Sequence, residues 1–232
     1  MTTQARRLVA EGLGTALLVA VVVGSGIMAE RLAGGNMAMA LLANTIATGA
    51  GLIALILMFD AISGAHFNPV ITLSEAWQKN MPASEVAPYI VMQVIGAFAG
   101  VAATHLMFGE PVFFASEHVR TGLSQWWSEF VATFGLLAVI IGCSRSRPML
   151  TPFAVAAYIT AAYWFTSSTA FANPAITLAR AASNTFAGIR PVDAPGFIVA
   201  QLLGAAAATL LFCWLCPTSG QDGAAPRSNH QN

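Results

Sequence analysis

Two stretches from opposite halves of this chain, HFNPVITL at 66–73 and FANPAITL at 171–178, carry Asn, Pro, Ile, Thr and Leu in the same register. Each starts a helix, because Asn is a preferred N-cap and Pro is preferred at the first helical position, where its missing N–H leaves nothing unpaired. The segments that follow, 68–80 (NPVITLSEAWQKN) and 173–184 (NPAITLARAASN), are apolar but short. At 1.5 Å per residue they reach roughly 16–20 Å, about half of a hydrocarbon core.

That comparison matters because 56% of residues are apolar and only 9% charged, far from the roughly one-quarter charged residues of a soluble chain. Runs long enough to cross a bilayer lie at 8–28, 37–59, 87–107, 126–143, 149–165 and 197–215, since about 20 helical residues are needed. The first is read as a retained helix, because Glu11 interrupts it and no A-x-A cleavage pattern follows. Trp77, Trp126, Trp127 and Trp214 fall near expected helix ends, as interfacial aromatics do. Arg6, Arg7, Lys79, Arg145, Arg147 and Arg227 collect at one face against Arg31, Arg120, Arg180 and Arg190 at the other, which favours cytoplasmic termini.

The duplication extends beyond the Asn-Pro turns. Glu11 in EGLGTALL matches Glu129 in EFVATFGLL, and Gln93-Val-Ile-Gly-Ala matches Gln201-Leu-Leu-Gly-Ala. Each half reads helix, helix, half-helix, helix: repeat one about 8–107, repeat two about 124–216, together one channel domain at 8–216. Residues 1–7 are a short leading segment, and 217–232 has the composition of a flexible tail. An odd number of spans per repeat inserts the second copy upside down, so the half-helices enter from opposite faces and their N-termini meet near the midplane. Irregular backbone at that depth is tolerable only if buried in protein or lining a water-filled cavity. The expected fold is therefore an all-α membrane protein of six transmembrane helices and two re-entrant half-helices.

These motifs resemble the major intrinsic protein family, the aquaporins and aquaglyceroporins, over about residues 7–216. SGAHFNPV at 63–70 is close to the family's first motif, with Val70 where Ala is usual, and Asn173-Pro174-Ala175 is the second unaltered. The resemblance implies that Asn68 and Asn173 present amides to the permeant, and that Glu11 and Glu129 accept hydrogen bonds from the re-entrant loops. It implies a carbonyl ladder from Gly64, Ala65, His66 and Phe67 on one side and Thr169, Ala170 and Phe171 on the other. It also implies a homotetramer in the plasma (inner) membrane.

The chain departs from the family at its narrowest point. Arg usually follows the second Asn-Pro-Ala; here Ile176 stands there. The family's spacing sets Ala170, Ala161 and Thr48 at the other filter positions. The expected constriction, Thr48, Ala161, Ala170 and Ile176, is small and uncharged and admits more than water. Arg180 lies one turn beyond Ile176; it either leans back toward the constriction or snorkels to the interface.

The expected function is a passive channel for water and small neutral solutes such as glycerol, urea and the neutral hydroxides arsenite and antimonite. A proton-coupled transporter using Glu11 and Glu129 is the alternative, because intramembrane carboxylates are functional candidates. An enzyme is not expected: no nucleophile has a base partner and no phosphate loop is present. Ten Lys/Arg balance ten Asp/Glu, so nothing attracts nucleic acid. No metal or cofactor is expected: Cys143, Cys213 and Cys216 sit in or at the end of apolar runs, and His66 reads as a packed pore-wall residue. His105 and His118 carry no functional signal, and the nine methionines read as core filler. Gly96 with Gly100, and Gly204 with Ala208, have the small-xxx-small spacing that lets helices of the two halves approach.

Overall fold

The computed structural model describes residues 3–215; Cys216 and the expected tail at 217–232 lie outside them. The order of helices is α1 (Gln4–Leu32), α2 (Met37–Ser63), α3 (Pro69–Trp77), α4 (Ala83–Phe108), α5 (Leu123–Ser146), α6 (Thr151–Phe165), α7 (Pro174–Arg180) and α8 (Ala194–Leu215). A 3₁₀ turn at Pro148–Leu150 leads into α6. Asn36 caps α2 and Asn68 and Asn173 cap α3 and α7, each accepting from a backbone N–H of the first turn.

Five of these helices, α1, α2, α4, α5 and α8, are long and apolar enough to cross a membrane. Sequence pattern implies six. The difference is α6, only 15 residues long, which rises roughly 22 Å. Pro148 and Pro152 tighten its start, and at Phe165 the chain turns inward toward Asn173. The half-helices are also shorter than their apolar segments, nine residues in α3 and seven in α7.

The two halves are built alike. Helix α1 packs along α4, and α5 along α8. A Cβ at Gly96 would run into the Gly12 carbonyl, and one at Gly204 into the Phe130 carbonyl. The small residues thus bring together helices of the same half, not of opposite halves as their spacing alone suggests.

Ion pairs tie the ends. Arg7 Nη1 meets Glu85 at 2.7 Å and Arg31 Nη2 meets Glu110 at 2.7 Å, which fixes α1 parallel to α4. The start of α1 and the end of α8 consequently lie at one face, here the terminal face; the long α4–α5 connection lies on the other, the loop face. His105, which the sequence left without a role, is fully buried there. Its Nδ1 lies 2.7 and 2.9 Å from the Pro111 and Val112 carbonyls and its Nε2 lies 2.8 Å from Ser183 Oγ, pinning two loops to the end of α4.

Candidate functional site

The chain enters each half-helix through a tight turn of matching geometry. Ala65 and Phe67 take φ of 48° and 49°, and Ala170 and Ala172 take 48° and 45°. Left-handed backbone at residues other than Gly costs about 1–2 kcal/mol each. Buried carboxylates supply the compensation. Glu11 accepts from Phe67 N at 2.8 Å, His66 N at 3.0 Å, Ser63 Oγ at 2.7 Å and Gln93 Nε2 at 2.8 Å. Glu129 accepts from Phe171 N and Ala172 N, each at 2.9 Å, and from Gln201 Nε2 at 2.6 Å. Hydrogen bonds to an ionised acceptor are about twice as strong as neutral ones, so each glutamate fixes one loop against its own half.

The two Asn side chains then cross-link the halves. Asn68 Nδ2 donates to the Ala172 carbonyl at 2.7 Å, and Asn173 Nδ2 donates to the Phe67 carbonyl at 2.8 Å. Their Oδ1 atoms accept from Val70 N, and from Ala175 N and Ile176 N. One amide N–H on each Asn is left over.

Both Asn side chains line a cavity of about 320 Å³. It extends from Asp60, Glu75 and Ser144 near the terminal face, past the two Asn residues, to Thr48 and Arg180 toward the loop face. One wall is polar backbone of the two turns. The other is apolar and comes from pairs one helical turn apart: Leu18 and Val22 on α1, Leu52 and Ile56 on α2, Leu136 and Ile140 on α5, Val155 and Ile159 on α6. Sequence reading missed these pairs, whose signal is i, i+4 spacing within helices apolar all round.

Of the expected filter residues, Thr48, Ala170 and Ile176 line the cavity, and Ala161 does not. Ala161 is exposed on the outer side of α6. Tyr163, two residues on, takes the cavity side and donates its hydroxyl to Thr48 Oγ1 at 3.4 Å. Gly64, Ala65, His66, Phe67 and Phe171 line the cavity, as does Ala172, which was not foreseen; Thr169 is set back from it. His66 packs at 5.4 Å from the Tyr89 ring, with Nδ1 3.1 Å from Thr72 Oγ1.

Nor is the loop-face end uncharged, as Ile176 suggests. Arg180 lines it, its guanidinium 3.3 Å from the centre of the Phe171 ring and its Nε donating to the Ala187 carbonyl. Arg120, a loop residue that sequence pattern did not single out, lies 5.1 Å from the same ring. It donates to the Gly188 carbonyl at 2.8 Å and the Ser168 carbonyl at 3.2 Å. Burial pushes the Arg120 pKa down, opposed by the charge of Glu129.

An inverted repeat of membrane-length helices around a cavity lined by both Asn-Pro turns defines a membrane channel. A sequence model of the Major intrinsic protein family matches residues 1–152. The chain is 55% identical over 210 residues to "Aquaglyceroporin AqpS" of Rhizobium meliloti (strain 1021), covering 90% of each. It is 31% identical over 151 residues to "Aquaporin NIP1-1" of Arabidopsis thaliana, covering 61% of this chain and 50% of that relative. Among solved structures, the aquaglyceroporin from Plasmodium falciparum superposes with a TM-score of 0.63 at 18% identity, over 93% of this chain and 98% of that one, a likeness of fold. The chain belongs to the major intrinsic protein family. It is a multi-pass membrane channel and not an enzyme.

Proposed function

We propose that this channel conducts water and small neutral solutes of the glycerol class passively, and that urea and the neutral hydroxides arsenite and antimonite belong to the same range. The observation that carries the reading is the two-sided wall: a polar strip ending on Asn68 and Asn173 faces four apolar helix pairs. A hydroxylated solute exchanges its water for polar backbone on one side while its carbons meet the apolar wall, so desolvation is nearly balanced. The name of the Rhizobium relative, an aquaglyceroporin, supports the same solute class. Ile176, in place of a basic side chain, widens the passage relative to a water-only filter.

The transporter alternative loses its basis. Each oxygen of Glu11 already accepts from a backbone N–H, and so does each oxygen of Glu129; each carboxylate is engaged in holding its loop. We assign the channel to a single domain over 8–216 that assembles as a homotetramer in the inner membrane with cytoplasmic termini. Proteoliposomes in a stopped-flow instrument test the solute class. Glycerol and urea permeabilities should rise well above those of empty vesicles; no rise for glycerol, urea or arsenite overturns the reading.

A further inference from the structure

Arg180 is only 4% exposed, yet none of the ion pairs among the described residues includes it. Among the described residues its one hydrogen bond runs from Nε to the Ala187 carbonyl. The terminal nitrogens keep their N–H donors, and the side chain lines the cavity. An enclosed guanidinium without a carboxylate is tolerable at membrane depth only where water or solute oxygens take those donors. The seat is specific. Arg180 stands one turn after Ile176 on α7, and helical side chains lean toward the N-terminus. That lean sets the guanidinium carbon over Phe171, 3.3 Å from the ring centre, and Tyr163 lines the same cavity. Arg120, held by two backbone carbonyls at 5.1 Å from that ring, adds a second positive charge nearby.

We propose that Arg180 is the specificity-determining cation of this pore, supplied one helical turn downstream of Ile176: its guanidinium donates to the oxygens of passing neutral solutes and repels cations. Phe171 acts as the positioning residue through its ring. The inference rests on the channel reading above.

Urea and guanidinium have nearly the same shape and differ in charge, so their permeability ratio in proteoliposomes isolates the effect. The native channel should pass urea and exclude guanidinium. Arg180→Gln, which also removes a donor to the solute, should raise the guanidinium-to-urea ratio by about tenfold or more whatever its urea flux, as expected for loss of a unit charge within a few ångströms of the path. Arg180→Lys should exclude guanidinium at pH 7 and admit it as pH rises toward the ordinary lysine value of about 10.4, while the native ratio stays flat. If Arg180→Gln does not fold, the lysine variant alone decides. An unchanged ratio in a urea-conducting Arg180→Gln channel, or a flat profile in Arg180→Lys, overturns the proposal. Absence of urea and glycerol flux in the native protein instead overturns the channel reading itself.

Discussion

At the scale of single residues, the buried acids hold most of what the pore needs. A glutamine at position 129 offers one acceptor oxygen where the carboxylate offers two, and turns an amide N–H₂ toward a backbone N–H. One of Phe171 N or Ala172 N then loses its partner, which costs about 1–3 kcal/mol. Glu129→Gln should therefore lower the thermal midpoint in detergent, and Glu11→Gln should lower it further, because Glu11 also accepts from Ser63 Oγ. Equal, negligible shifts would contradict the clamp role. These glutamates were legible in the sequence because each recurs with a Gln at the matching place in its half. Ala161 and Arg120 show the limit. Counting back from Asn173 crosses the non-helical stretch 166–173, whose rise per residue no pattern encodes, and the error of two residues turns the wrong side of α6 to the cavity. Arg120 sits in an irregular loop and meets Phe171 only through tertiary folding.

At the scale of elements, helix starts were readable and helix ends were not. The Asn-Pro turns mark the first residues of α3 and α7 because capping is local chemistry. Their ends depend on distant partners: after Arg180 the chain is drawn off by Ser183, whose hydroxyl lies 2.8 Å from His105 Nε2 on α4. Small-residue spacing likewise marks a close approach without naming the partner. Helices α1 and α4 meet so closely at Gly96 that an added methyl collides with the Gly12 carbonyl. Gly96→Ala should destabilise the protein by about 1–3 kcal/mol, as overpacking does, despite the better helix propensity of alanine. A thermal midpoint unchanged or raised relative to native would mean that the two helices can separate freely.

For the whole molecule, the loop face is tied down by charge and the cavity by the meeting of the two halves. Asp193, just before α8, accepts from Arg120 N at 2.9 Å and from Arg190 Nε at 2.9 Å. Burial raises its pKa, but the Arg190 and Arg120 hydrogen bonds and the Arg190 charge outweigh this and hold it below the usual carboxylate range. A depressed carboxylate stabilises the fold above its unfolded pKa and stops doing so as pH falls through the folded value. Asp193→Asn should accordingly unfold at lower temperature than native from pH 7 down to about pH 4, the ordinary aspartate value. The gap should close in stronger acid; a gap independent of pH would rule out the charge of Asp193 as its source.

A cavity that is polar on one wall and has no basic side chain at position 176 should pass solutes larger than water. Stopped-flow permeabilities of native and Ile176→Arg proteoliposomes to glycerol and water test it most directly. The native channel should conduct both. The arginine variant, which adds bulk beside Thr48 and Ala170, should lose about tenfold or more of its glycerol flux, in line with what a few added atoms do in a close-fitting site, while still passing water. Native vesicles no more permeable to glycerol than empty ones, or glycerol flux unaffected by Ile176→Arg, would contradict it.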